Sequence, residues 1–67
     1  MEVNVNLENG QTRTFKGVLF TPEVLNNGAL RLFTQASPIK QHTLAPGTWS
    51  DYEIEAIGIR EYATSHN

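Results

Sequence analysis

The chain has 67 residues, no cysteine, and 5 basic against 7 acidic side chains, which gives a formal net charge of −2. Its length limits it to one domain, and its charge lacks the basic field that a general duplex-DNA binder needs. Without cysteine, the sequence excludes disulfides, thiolate zinc sites and cysteine nucleophiles.

Size and composition also predict the state of the protein in the cell. A chain this short buries only about 60% of its unfolded surface, so we expect a homo-oligomer that gains stability from association. No apolar run approaches the ~20 residues that span a bilayer. The N-terminus lacks the basic start and apolar core of a signal peptide. We therefore expect a cytoplasmic protein with no membrane partner.

The first predicted element is a β-hairpin that turns at Gly10. Apolar and polar residues alternate over residues 2–7, as in a half-buried strand. A two-residue turn would pair Val3 with Lys16, whereas a three-residue turn with Gly10 as a left-handed bulge pairs Val3 with Phe15. Because register follows the hydrophobic face, we predict the bulged turn.

A second hairpin is predicted at the Asn-Asn-Gly turn in the middle of the chain. A three-residue loop there places an apolar pair, Val24 and Leu30, beside a charge pair, Glu23 and Arg31. The alternative is one helical turn over residues 22–26, because proline suits its first position and Asn-Asn-Gly could also end a helix. The sequence favours the hairpin.

The next segment predicts an edge strand between two breaks. Ser37-Pro38 ends the preceding strand, and residues 39–44 then alternate weakly. Lys40 and the nearby proline are typical of a strand at the rim of a sheet. Residues 45–48 carry proline and glycine at the positions that define a type II turn.

The last element, residues 51–62, fits two structures. Its apolar and acidic residues alternate as in a strand, yet Ser50 and Glu53 have the spacing of a helix capping box. Gly58 and three isoleucines are unfavourable in a helix. We therefore predict a strand with Gly58 as a bulge, followed by a flexible tail at residues 63–67.

These elements together predict an all-β fold. Residues 1–62 would form a single domain, a five- or six-stranded antiparallel meander. We expect it to curl into a small barrel or a strongly twisted sheet.

Four residues are the candidate binding residues: Arg13, Arg31, Trp49 and Tyr52. Arginine interleaved with aromatic side chains suits a pocket for a phosphate, a carboxylate or a base, and it equally suits a protein interface. For Arg31 the structural alternative is a cross-strand pair with Glu23. For Trp49 the alternative is a lid over one end of a small core.

No catalytic or metal pattern accompanies these candidates. His42 and His66 are far apart in sequence and have no third ligand at a recognisable spacing. Glu53 and Glu55 share a strand face, which is typical of a solvated outer surface. No glycine-rich phosphate loop is present. We therefore expect a protein that is not an enzyme and uses no metal or cofactor.

Residues 28–33 and 44–50 together resemble a pattern in small uncharacterised β-rich proteins of bacteriophage and bacterial genomes. This resemblance implies a compact protein that binds and blocks something in a host. The hypothesis is therefore a non-enzymatic binding module, such as a phage-type inhibitor that blocks a host protein or sequesters a small anionic ligand. Two alternatives are a single-stranded nucleic-acid or nucleotide-binding small barrel and a structural assembly subunit.

Overall fold

The computed structural model describes residues 1–56 and 59–64, and their secondary structure is entirely β. The predicted all-β class is confirmed. Seven short strands lie within the described ranges: β1 (Glu2–Leu7), β2 (Thr12–Phe15), β3 (Glu23–Val24), β4 (Leu30–Thr34), β5 (Lys40–Leu44), β6 (Trp49–Ala56) and β7 (Ile59–Thr64).

The strands form two antiparallel sheets rather than one meander. One sheet has the order β2-β1-β6-β7 and the other β3-β4-β5, and the described strands do not close into a barrel. The departure from a meander arises at β1, where Val3 and Val5 are fully buried. Because β6 presents Ile54 opposite Val3 and Tyr52 opposite Val5, it extends the same apolar face on the side of β1 away from β2.

The first hairpin has the predicted register. Val3 lies opposite Phe15, and Gly10 adopts a φ of +87°. The Gly10 N–H donates to the Leu7 carbonyl at 3.1 Å, and the Leu7 N–H donates to the Gln11 carbonyl at 2.8 Å. A three-residue turn with a left-handed glycine is therefore confirmed.

The second hairpin is confirmed as well, in preference to the helical turn. Val24 lies opposite Leu30, and Glu23 lies opposite Arg31. The two charged side chains form an ion pair. In the loop, the Asn27 Oδ1 accepts the Ala29 N–H at 3.0 Å, which satisfies one backbone donor at the turn.

The edge strand and the turn after it also follow the prediction. β5 pairs only with β4 among the described strands, and so forms a rim of the three-stranded sheet. A cis Ser37–Pro38 peptide lies in the connection that precedes it. After β5, the Thr48 N–H donates to the Ala45 carbonyl at 3.2 Å, and Gly47 has a φ of +79°, as a type II turn requires.

The end of the chain is a strand rather than a helix, but it is not one continuous strand. β6 and β7 are antiparallel with Ala56 opposite Ile59, so the chain reverses between them. The prediction of a single strand over residues 51–62 is therefore wrong. Because β7 pairs with β6, the backbone N–H and C=O groups of β7 have hydrogen-bond partners that a straight continuation of β6 would not give them. The predicted bulge at Gly58 lies outside the described residues. The predicted tail spans residues 63–67. Its first two residues belong to β7, which ends at Thr64, and residues 65–67 lie outside the described residues.

The two sheets share one hydrophobic core. Its buried side chains come from both sheets and from the segment between β2 and β3: Val3, Val5, Phe15, Val18, Leu30, Leu32, Leu44, Trp49, Tyr52 and Ile54. That segment also joins the sheets through the backbone. The Val18 N–H donates to the Met1 carbonyl at 2.9 Å, and the Leu19 N–H donates to the Phe33 carbonyl at 3.0 Å.

We predict that Gly10→Val destabilises the protein by about 1 kcal/mol or more, because a β-branched residue resists the left-handed conformation. No atom lies within 4 Å of a Cβ added at Gly10, so the loss is conformational rather than steric. Gly10→Asn is the matched control and should cost less, since asparagine tolerates this region. Chemical denaturation of both variants measures the difference; equal midpoints for valine and wild type would contradict the turn.

Candidate functional site

Trp49 and Tyr52, two of the predicted binding residues, lie in the hydrophobic core. The Trp49 side chain is 0% exposed, and its indole N–H donates to the Gly28 carbonyl at 3.0 Å. Tyr52 is also buried, with its ring centroid 6.2 Å from that of Trp49. The structure therefore favours the core-lid alternative for Trp49, and the two rings are inaccessible to a partner in this conformation.

Arg31 lies on the outer face of β4. Along this strand Leu30, Leu32 and Thr34 are buried, whereas Arg31 and Phe33 point away from the core and are partly exposed. This alternation follows directly from the period-2 geometry of a strand.

Two contacts fix the position of Arg31. It pairs with Glu23, and its guanidinium carbon is 5.9 Å from the centroid of the Phe33 ring. The Nε atom is buried and has no hydrogen-bond partner among the described residues. The sequence prediction of a Glu23 pair is confirmed, but a half-exposed pair of this kind contributes at most about 1 kcal/mol to stability.

Phe20 adds an exposed aromatic ring to the same place. It is 60% exposed, and its ring packs edge-on against Phe33 with centroids 6.1 Å apart. Phe20, Glu23, Arg31 and Phe33 are called the Arg31 face below. Sequence reasoning placed Phe33 beside Arg31 through strand alternation but missed Phe20, because Phe20 lies outside the strands and has no periodic signal.

The outer face of the four-stranded sheet has the opposite character. Thr14 donates to the Asn4 Oδ1 at 2.7 Å, and Thr12 donates to the Asn6 Oδ1 at 2.8 Å. Asn6 in turn donates to Asp51. These polar side chains on β1, β2 and β6 satisfy one another across the strands.

Arg13 lies on β2, in the four-stranded sheet, whereas Arg31 lies in the three-stranded sheet. Its guanidinium carbon is 4.7 Å from the centroid of the Phe15 ring, and Phe15 contacts the His42 ring at a centroid distance of 5.0 Å. His42 forms a 2.9 Å hydrogen bond with the Thr34 hydroxyl. This row of contacts crosses from one sheet to the other and gives Arg13 a supported position.

A cleft of about 530 Å³ opens beside Arg13. It lies between the β1–β2 turn and the β5–β6 turn, and the Glu8 N–H joins these turns by donating to the Thr48 carbonyl at 3.1 Å. Its lining residues are Leu7, Glu8, Asn9, Arg13, Thr43, Leu44, Ala45, Gly47 and Thr48. The four predicted site residues therefore fall in three places: the core, the Arg31 face and this cleft.

Among the described residues, no group of three or more histidine or carboxylate side chains could hold a metal ion. The same part of the chain contains no helix that could cross a bilayer. Comparisons with protein-family models, curated proteins and solved structures found no match to this chain.

We predict that Trp49→Phe destabilises the protein by about 1–3 kcal/mol, because the buried Gly28 carbonyl loses its donor. Phe20→Leu is the control, since an exposed substitution away from the core stays within about 0.5 kcal/mol. Chemical denaturation compares the two. A Trp49→Phe variant as stable as wild type would contradict the structural role of the indole.

Proposed function

We propose that this protein is a non-enzymatic binding module that docks a partner protein on the Arg31 face. The observation that carries the proposal is Phe20, a 60% exposed ring held edge-on against Phe33 beside Arg31. Aromatic and arginine side chains are enriched at the centres of protein interfaces, where they supply most of the binding energy.

The energetics of this face suit association. Covering the exposed part of one phenylalanine, on the order of 120 Å², contributes about 1–2 kcal/mol before the entropy cost of association. Arg31 is already held by Glu23 and by the Phe33 ring, so binding fixes fewer of its rotamers. A small rigid face of this kind can therefore act as a hot spot without a conformational change.

The chemistry of the face also indicates the chemistry of the partner. Arg31 and Glu23 balance each other's charge, so the centre of the partner's surface should be apolar, with carbonyl or carboxylate oxygens for the remaining Arg31 donors. Blocking a host protein, as a phage-type inhibitor does, is the form of this function that we propose. Self-association and a cytoplasmic location stay predictions.

The nucleic-acid alternative is less favoured. It relied on stacking of bases on Trp49 and Tyr52, and both rings are buried. Sequestering a small anionic ligand would use a different part of the molecule, the cleft beside Arg13. The structural-subunit alternative would use strand edges such as β5, and the crosslinking experiment below distinguishes it.

The first test replaces Phe20 with a photo-crosslinking amino acid in the full chain, expressed in cells where the protein naturally occurs. Thr14, exposed on the polar face of the other sheet, is the matched control position. We expect one partner to crosslink at position 20 and not at position 14, and the yield to fall in an Arg31→Ala background. Crosslinks to a second copy would indicate a homo-oligomeric subunit instead, and equal yields at both positions would contradict the proposal.

With the crosslinked partner purified, we predict that Phe20→Ser and Arg31→Ala each weaken binding by about tenfold or more. Neither change should cost more than about 1 kcal/mol of folding stability, because both side chains are partly or largely exposed. Lys40→Ala, an exposed cation on neighbouring β5, is the control. Calorimetric titration measures the affinities, and wild-type binding by both variants would move the site elsewhere.

A further inference from the structure

The cleft between the first and third turns has the size of a small-molecule site. Its volume of about 530 Å³ lies within the range that ligand pockets occupy, and it is built from two hydrogen-bonded turns rather than loose chain. None of its lining residues belongs to the Arg31 face. An inference about the cleft is therefore independent of the proposed partner.

Arg13 gives the cleft a positioned positive charge. The row of contacts from Arg13 through Phe15 to His42 is anchored by the hydrogen bond between His42 and Thr34. The salt bridge between Arg31 and Glu23 does not involve Arg13, and no described carboxylate pairs with Arg13. A guanidinium that is held in place and is not paired with a carboxylate of the protein can bind the carboxylate of a ligand.

Glu8 gives the same cleft a negative charge. It lines the cleft with Arg13, and within the described part of the chain it forms no ion pair with Arg13 or any other cation. Leu7, Leu44 and Ala45 supply apolar surface between the polar groups. The cleft thus combines a carboxylate that can pair with a cation, a guanidinium that can pair with an anion, and an apolar surface that can contact a hydrocarbon group.

We propose that this cleft binds a small zwitterion of the α-amino-acid class with an apolar side chain. The ligand's carboxylate pairs with Arg13, its ammonium group pairs with Glu8, and its side chain packs on Leu7 and Leu44. A simple anion would meet repulsion from Glu8, and a simple cation would meet repulsion from Arg13. A ligand with both charges gains from both residues.

The test uses L-leucine as the zwitterion, 4-methylpentanoate as the matched carboxylate and isoamylamine as the matched amine. Each is titrated into the full chain while the backbone amides of residues 43–45, 47 and 48 are followed by NMR. We expect leucine to shift these amides at about millimolar concentration and to bind more tightly than either single-charge analogue. Arg13→Gln and Glu8→Gln should each weaken leucine binding by about two- to fivefold, the range for an exposed ion pair.

The sign of the Glu8→Gln effect is decisive. For a zwitterion site, removing this carboxylate weakens leucine binding; for a plain anion site, it leaves leucine binding unchanged or tightens it. The second result would overturn the proposal, as would the absence of shifts at residues 43–45, 47 and 48 with any probe. Lys40→Gln, a charge change outside the cleft lining, should leave leucine binding unchanged. Arg13→Lys should restore part of the loss, which separates charge from packing.

Discussion

The burial of Trp49 is the interaction on which the rest of the structure depends. Trp49 opens β6 of the four-stranded sheet, and its indole N–H donates to the carbonyl of Gly28, in the turn before β4 of the other sheet. One side chain therefore fills the shared core and ties the two sheets together. In a chain of 67 residues, where little apolar surface can be buried, a single large ring has a correspondingly large share of the stability.

This use of Trp49 decides which aromatic side chains remain for binding. With Trp49 and Tyr52 buried in the core, the exposed ring is Phe20, which packs against Phe33, the ring that contacts Arg31. One aromatic pair, Trp49 and Tyr52, is in the core, and the other, Phe20 and Phe33, is at the surface. For this reason we propose that a partner protein binds the Arg31 face and that a small ligand binds the Arg13 cleft.

Local features of the fold could be predicted from the sequence, because they depend on short-range physics. The register of both hairpins followed from the requirement that Val3 and Val24 face apolar partners, and Gly10 marked its own left-handed turn. The pairing of β1 with β6 could not be predicted in this way. It depends on contacts between residues far apart in sequence, which no alternation pattern encodes.

The candidate site was predictable only in part, for a similar reason. Arg31, its Glu23 partner and the adjacent Phe33 all follow from strand periodicity. Trp49 was assigned to a surface from its position beside a turn, but the second sheet covers it. Phe20 lies in an irregular segment, so its contact with Phe33 appears only in three dimensions.

The most direct test of this account is the solvent accessibility of the aromatic rings, measured by NMR with a soluble paramagnetic probe. The account predicts strong broadening of the Phe20 ring protons and no broadening of the Trp49 indole N–H. A broadened Trp49 indole together with a protected Phe20 ring would contradict it. Trp49 would then not join the two sheets in the core, and the Arg31 face would have no exposed ring for a partner.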